Sequence, residues 1–397
     1  MTAMAQLRAG AEVGIAACPS PEESFKAGEA AAAGVRMYRF RYALNFSLNP
    51  LLLSLEMVRK FEAVAKDYDV LVLHCNWMFP IWWAAHVARK LGKPYYMMPR
   101  GSFAPERLKQ SAWKKKLVGW IDRHYARHAA AVWATAESEA QAVRAYVPEA
   151  KVEVFPIGLD VGKYGGGGGS GGSGEGGGCG GSGGSGEGGG SGGSGEGGGS
   201  GEGGGSGEGG GRTLLFFSRI SPIKGLDLLA EAWGKSELGK RAGERWKLLI
   251  VGPDDRGYTE EIKKVFAAKC PAGSFEFRGP VYGDEKIKLL AGADAFILPT
   301  RNENWGIAVA EAMASGLPVV CTKGAPWSCL ETEKAGCWVD VSVDGIQKGI
   351  EDVLSLSDNE RRAMGGRGRK WVEENLDWTV IAKKMLDCIK VKNVLRQ

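Results

Sequence analysis

The chain is 397 residues long, 44% hydrophobic and 24% charged, with a formal net charge of +5. More than half of its 61 glycines fall in the 47 residues from Gly165 to Gly211, a block with five Glu and no Lys or Arg, so the rest carries 51 basic against 41 acidic side chains. That remainder has ordinary globular composition and enough apolar residues for large cores, which excludes a disordered or fibrous chain.

No apolar run approaches the ~20 residues that cross a bilayer, and the first ten residues have neither basic flank nor apolar core, so neither a membrane span nor a signal peptide is expected. A cytoplasmic location follows as the default. Eight cysteines form no CxxC pair, and with four scattered histidines they offer no metal-ligand spacing, so neither a metal nor a disulfide framework is expected.

In chain order, 2–10 reads as a helix, followed by strands over 12–17, 35–40, 70–74, 94–98, 131–134 and 152–155. Helical spacing predicts helices over 51–66, 82–91, 106–127 and 138–146 between them. After the glycine block come strands over 213–217, 247–251, 274–277, 295–298 and 318–321, again alternating with helices. Alternation of this kind means parallel sheets with crossover helices, hence an α/β protein with two doubly wound domains and ligands at the carboxyl ends of the strands. The domains are read as 1–164 and 212–377, with 165–211 as a low-complexity linker and 378–397 as a terminal helix. A Gly/Ser chain of that length spans roughly 34–41 Å, enough to tether two touching domains with slack.

Two segments carry chemistry. The run LPTRNENWGIAVAEAMASGLPVVC (298–321) reads strand, polar loop, helix, glycine, strand. Glu303 and Glu311 flank the helix start, and Asn304, Trp305 and Gly306 open it with free backbone N–H groups, an arrangement that suits a diphosphate. One carboxylate would take sugar hydroxyls and the other a ribose. Paired glutamates at a helix start are commonly solvated caps, but the strand–loop–helix setting favours a site. The run FFSRISPIKGLDLL (216–229) places Arg219 and Lys224 after another strand, where two cations could neutralise a leaving diphosphate.

With these motifs the chain resembles the retaining glycosyltransferases of family 4, whose signature joins an Arg and a Lys after the first strand of the second domain to two glutamates separated by seven residues. The likeness extends to VGPD (251–254), GAPWSCLE (324–331) and SLSDNERRAMGGRGRKWVEE (355–374). It implies a GT-B architecture, two Rossmann-like domains facing across a cleft, with the terminal helix crossing back to the first. It also implies transfer of a hexose from a nucleoside-diphosphate sugar to a glycan or lipid-linked acceptor, as in cell-surface polysaccharide or lipopolysaccharide biosynthesis, without metal, cofactor or side-chain nucleophile.

By the same resemblance Arg219 and Lys224 bind the diphosphate, Glu303 contacts the transferred sugar, Glu311 the ribose and Val281 the base. His74, Asn76, Trp77, Arg100 and Ser102, in HCNWMFP (74–80) and PRGSFAPERL (99–108), would line the acceptor side. Arg100 stands where many members carry a histidine. Residues 100–128 hold eight Lys or Arg beside an apolar stripe of Trp113, Leu117, Trp120, Ile121 and Tyr125, which suits either packing on the sheet or peripheral contact with an anionic membrane. No nucleic-acid module accompanies the charge.

One feature departs from the family. The helix at 2–10 and the strand at 12–17 match its first helix and second strand, so a first strand and its Gly-rich loop are missing, and the first sheet should have open edges. That leaves a non-catalytic nucleotide-sugar-binding or membrane-docking module as the alternative to an enzyme, and a GT-B sugar-nucleotide epimerase as a third reading.

Overall fold

The computed structural model describes residues 2–18, 30–42, 52–109, 112–165, 211–237 and 246–394. Most of the glycine block, 166–210, with Cys179, lies outside the described residues, as do the side chains of Trp113, Lys114, Lys115, Lys116 and Leu117 on the basic helix.

The N-terminal half runs α1 (Thr2–Arg8), β1 (Gly14–Ala17), β2 (Arg36–Arg39), α2 (Leu55–Lys66), β3 (Leu71–His74), α3 (Phe79–Lys90), β4 (Tyr95–Met98), α4 (Pro105–Lys109), α5 (Ala112–His128), β5 (Ala131–Ala134), α6 (Glu137–Tyr146) and β6 (Val152–Val154). Strands β3 to β6 form one parallel sheet in that order. All four residues of both β4 and β5 are buried, the unbroken apolar run expected of strands covered on both faces. Trp133 stacks on Tyr96 at 4.4 Å between ring centroids and meets Phe155 edge-on.

Strands β1 and β2 pair with each other in a separate two-stranded sheet, and neither pairs with β3 among the described residues. Among the described residues the strands of the N-terminal half thus fall into two separate sheets. Tyr68, just before β3, reaches from one to the other to hydrogen-bond Tyr38 on β2 at 3.2 Å.

The C-terminal half runs β7 (Arg212–Phe217), α7 (Leu226–Lys235), β8 (Trp246–Val251), α8 (Tyr258–Lys269), β9 (Phe275–Arg278), α9 (Gly283–Ala291), β10 (Ala295–Leu298), α10 (Ile307–Ala314), β11 (Val319–Thr322), α11 (Cys329–Thr332), β12 (Gly336–Val339), α12 (Val343–Leu354), α13 (Asp358–Leu376) and α14 (Trp378–Val394). Its sheet is parallel, in the order β12-β11-β10-β7-β8-β9, a doubly wound arrangement whose order reverses between β7 and β10. Strand β12 was not expected from the sequence; it is a half-buried edge strand without the long apolar run of its neighbours. Helix α13 opens on a capping box, with the Ser357 hydroxyl and the Glu360 carboxylate satisfying each other's backbone N–H groups.

Two connections cross between the halves, and they are paired. The Leu159 N–H donates to the Leu376 carbonyl and accepts, at its own carbonyl, the Trp378 N–H. Beyond this point α14 returns to the N-terminal sheet, where Ile381, Met385 and Ile389 pack with Tyr96, Met98 and Trp133.

The crossing relocates the glycine block. Leu159, Val161 and Tyr164, which the sequence reading assigned to the first domain, pack in the core of the C-terminal sheet. Arg369 on α13 donates to the Tyr164 carbonyl, and Arg212, at the far end of the block, pairs with Asp358 on the same helix. The block therefore leaves and re-enters one domain, and the crossing lies at residues 155–159, ahead of it.

Candidate functional site

A cleft of about 1210 Å³ lies between the halves at the carboxyl ends of both sheets. From the C-terminal half it is walled by the turns after β7, β8 and β10, and from the N-terminal half by the loop after β4 and the start of α6. Ligands of open parallel sheets bind at this end, because there the loops diverge and helix N-termini point outward.

The two motifs meet in this cleft. Lys224, on the turn after β7, pairs its Nζ with Oε2 of Glu303, on the loop after β10; their side chains are 11% and 22% exposed. Such a pair is less screened than a surface one, yet it remains open on the cleft side. Arg219 faces the same space, its guanidinium 3.7 Å from Asp255. The cleft thus holds two cations, one paired with Glu303 and the other with Asp255.

The rest of the second motif divides. Asn304 lines the cleft and donates its Nδ2 to Thr135 Oγ1 of the N-terminal half at 2.8 Å. Gly306 caps α10 with φ of 78°. Trp305 turns away: its ring packs 4.9 Å from Trp327 in the core, and its carbonyl accepts the Trp327 indole N–H, so its side chain lies outside the cleft. Glu311, on α10, is buried, and its Oε1 accepts from Lys286 Nζ at 2.7 Å and from the Tyr164 hydroxyl at 3.1 Å. Val281 packs at the edge of the core, next to Pro280, which lines a separate 330 Å³ pocket with Gly252, Asp254 and Phe277.

On the N-terminal side, Arg100 lines the cleft and hydrogen-bonds His74 Nδ1 at 3.2 Å. The surrounding protein desolvates His74 and the Arg100 charge adds to that, pushing its pKa down to about 4. It is therefore neutral near pH 7, and with Nδ1 accepting from Arg100 it carries its proton on Nε2. Ser102 donates its hydroxyl to the Pro99 carbonyl, which shapes the loop.

Asn76 and Trp77 turn inward. The Asn76 amide is buried with neither atom hydrogen-bonded, and Trp77 packs edge-on to Phe103. Cys75, Trp77 and Arg100 all hold positive φ, a costly backbone state for such residues that concentrates at functional loops. The Trp77 N–H is anchored on Oδ1 of Asp122, a fully buried carboxylate of α5 whose pKa burial raises to about 6.

Thr135, Glu139, Lys286, Tyr164 and Asp122 were not singled out from the sequence. The run TAESEA after β5 repeats the strand–loop–helix setting of the two motifs and could have marked Thr135 and Glu139. Nothing local marks the others. On α5, Trp120 is 62% exposed beside Arg123 and Arg127, while Ile121 and Tyr125 are partly covered. Among the described residues no helix is long and apolar enough to cross a membrane, and no three side chains are grouped as metal ligands.

Comparison with known proteins gives two family matches. The model for glycosyl transferases group 1 matches residues 206–371, and that for the glycosyl transferase 4-like domain matches 1–158. A GDP-mannose-dependent alpha-(1-6)-phosphatidylinositol monomannoside mannosyltransferase of Mycobacterium tuberculosis is 32% identical over 194 residues, which is 46% of this chain and 49% of the relative. A sulfoquinovosyl transferase of Arabidopsis thaliana is 29% identical over 175 residues, 43% of this chain and 32% of the relative. These alignments span about half or less of the relatives' length.

Among solved structures, a sucrose-phosphate synthase from Thermosynechococcus elongatus superposes with a TM-score of 0.66 at 15% identity, covering 99% of this chain and 92% of that one. Anabaena HepE in complex with UDP superposes with a TM-score of 0.68 at 16% identity, covering 98% and 94%. At such identities the likeness is one of fold.

Proposed function

The chain belongs to the glycosyl transferases of group 1 and has the GT-B fold, and from that premise we propose that it transfers a hexose from a nucleoside-diphosphate sugar to a glycan or lipid-linked acceptor, with retention of anomeric configuration and without a metal. The observation that carries this reading is the Lys224–Glu303 pair in the cleft with Arg219 beside it.

In this reading the diphosphate takes over Lys224 and Arg219, whose charges offset the negative charge that develops as the sugar departs. Glu303, released from Lys224, accepts hydroxyls of the transferred sugar. Glu311 binds the ribose through Oε2, its other oxygen being held by Lys286 and Tyr164. The pocket beside Val281 receives the base. The acceptor enters over Arg100 and His74, and the exposed Trp120 and its basic neighbours suit an acceptor presented at an anionic membrane surface. GDP-mannose and UDP-glucose are the first donors to try, since a relative uses the former and HepE has been solved with the latter.

The test is release of nucleoside diphosphate from labelled UDP- and GDP-sugars by the wild type, Glu303→Ala and Lys224→Ala. Loss of release by at least a hundredfold in both variants is expected; unchanged turnover in both would overturn the site. The division of the N-terminal strands into two sheets among the described residues favours one alternative, a nucleotide-sugar-binding module without turnover. That alternative requires calorimetric binding of UDP or GDP with no release from any donor.

A further inference from the structure

We infer that Glu139 is a positioning residue that turns the Thr135 hydroxyl so that the N-terminal domain grips Asn304 by its amide nitrogen, leaving the Asn304 amide oxygen to accept a hydroxyl of the transferred sugar. The inference rests on the glycosyl-transfer reading of the cleft and adds the device by which one domain orients a donor-side residue of the other.

Glu139 is 3% exposed, and no Lys, Arg or His pairs with it among the described residues. A buried carboxylate in that position is tolerated only when hydrogen bonds replace its water. Three do: Oε1 accepts the Gly101 N–H, and Oε2 accepts the Thr135 N–H at 2.7 Å and the Thr135 hydroxyl at 2.6 Å. The backbone part of this is ordinary support for the start of α6 and needs no hydroxyl. The hydroxyl bond has a different consequence. Its only proton is committed to Glu139, so Thr135 Oγ1 can offer only lone pairs across the cleft.

Asn304 meets those lone pairs with its Nδ2 at 2.8 Å, and the reverse orientation would set two acceptors against each other. Gly101, tied to the same carboxylate, completes the seat: its φ is 81°, and a Cβ there would lie 3.3 Å from Asn304 Cγ. Glu139 therefore organises both N-terminal contacts to the residue that follows Glu303. Since Thr135 and Asn304 belong to different halves of the chain, the bond exists only when the cleft is closed, and its effect falls on the closed, reacting state rather than on nucleotide capture by the C-terminal domain alone.

The experiment uses the full chain as Thr135→Val, which keeps the backbone cap and removes the hydroxyl, and Thr135→Ser, which keeps both. Two measurements are made: transfer kinetics, and hydrogen exchange of residues 300–306 with UDP or GDP present. Thr135→Val should lower kcat about tenfold, the loss of one hydrogen bond, with nucleoside-diphosphate affinity within twofold. It should also speed exchange at 300–306 while leaving β7 unchanged, and Thr135→Ser should restore both. Asn304→Asp, which puts an acceptor against Thr135, should reproduce the Thr135→Val defect without adding to it in the double variant. Wild-type exchange at 300–306 in Thr135→Val, or defects that simply add, overturns the inference. If exchange and its rescue behave as expected but no donor sugar is turned over by the wild type, the transfer reading fails while the positioning role stands.

Discussion

The hydroxyl of Tyr164 donates to Oε1 of Glu311 at 3.1 Å, so the last tyrosine before the glycine block is bonded to the second glutamate of the motif, 147 residues further along the chain. Lys286 reaches the same oxygen at 2.7 Å. Tyr164→Phe should cost about 1 kcal/mol of stability, the worth of one hydrogen bond, and leave UDP or GDP affinity within threefold, because Lys286 still orients the carboxylate. Thermal unfolding and calorimetry measure the two. A tenfold loss of affinity would mean that Tyr164 shapes the ribose site directly.

The ends of the glycine block are both held on α13, Tyr164 by Arg369 and Arg212 by Asp358. Those partners lie eleven positions apart on the helix, about 16 Å at 1.5 Å per residue. A Gly/Ser segment of about 12 residues, with an r.m.s. span of roughly 17–21 Å, is long enough to replace the block. The shorter loop should raise stability by about 1 kcal/mol through its lower closure entropy, with kcat unchanged. Loss of activity with the fold intact would show that the block does more than close a loop.

Gly225 follows Lys224 and starts α7 with φ of 69°, and a Cβ there would lie 2.1 Å from the Pro299 carbonyl oxygen. Pro299 opens the loop that carries Glu303, so the close approach of these two backbones brings the motifs together. Gly225→Ala should destabilise the chain by about 2 kcal/mol or more and weaken UDP or GDP binding at least tenfold. Near-wild-type melting and binding would remove this contact from the account of the site.

Asp122 has a pKa of about 6 in the folded chain against 3.8 for the free side chain. Between those values the folded state holds the extra proton, so the contribution of this group to stability is greatest below 3.8 and is lost as pH rises through 6. Asp122→Asn keeps an acceptor for the Trp77 N–H and removes the titration. It should be more stable than wild type at pH 8, by about 3 kcal/mol at most, with the gap closing toward pH 4. Parallel curves of melting temperature against pH for the two proteins would contradict the assignment.

Much of the fold was legible because parallel strands covered on both faces must be apolar runs. LVLH, YYMM and AVWA stand out between amphipathic helices, whereas GCWV in β12 does not, since an edge strand needs less apolar surface. The site was legible only where its chemistry is local. Lys224 and Glu303 each follow a strand and precede a helix, so each can be found without knowing that they touch. Trp305, next to Asn304 of the cleft, turns its ring into the core, and only the facing Trp327 decides which way the indole turns.

By itself the sequence determined two α/β halves and the cationic and acidic motifs at the strand ends of the second, both of them consequences of residue type and short-range spacing. Tertiary structure decided which partners those side chains have. Glu311 received Tyr164 and Lys286, Asn304 received Thr135, and the glycine block became a loop of one domain although its position in the chain suggested a tether between two. Each of these depends on where the chain crosses between the domains. The crossing is set by the packing of Leu159, Val161 and Tyr164 into the second core, a choice between two apolar environments that only the folded chain offers.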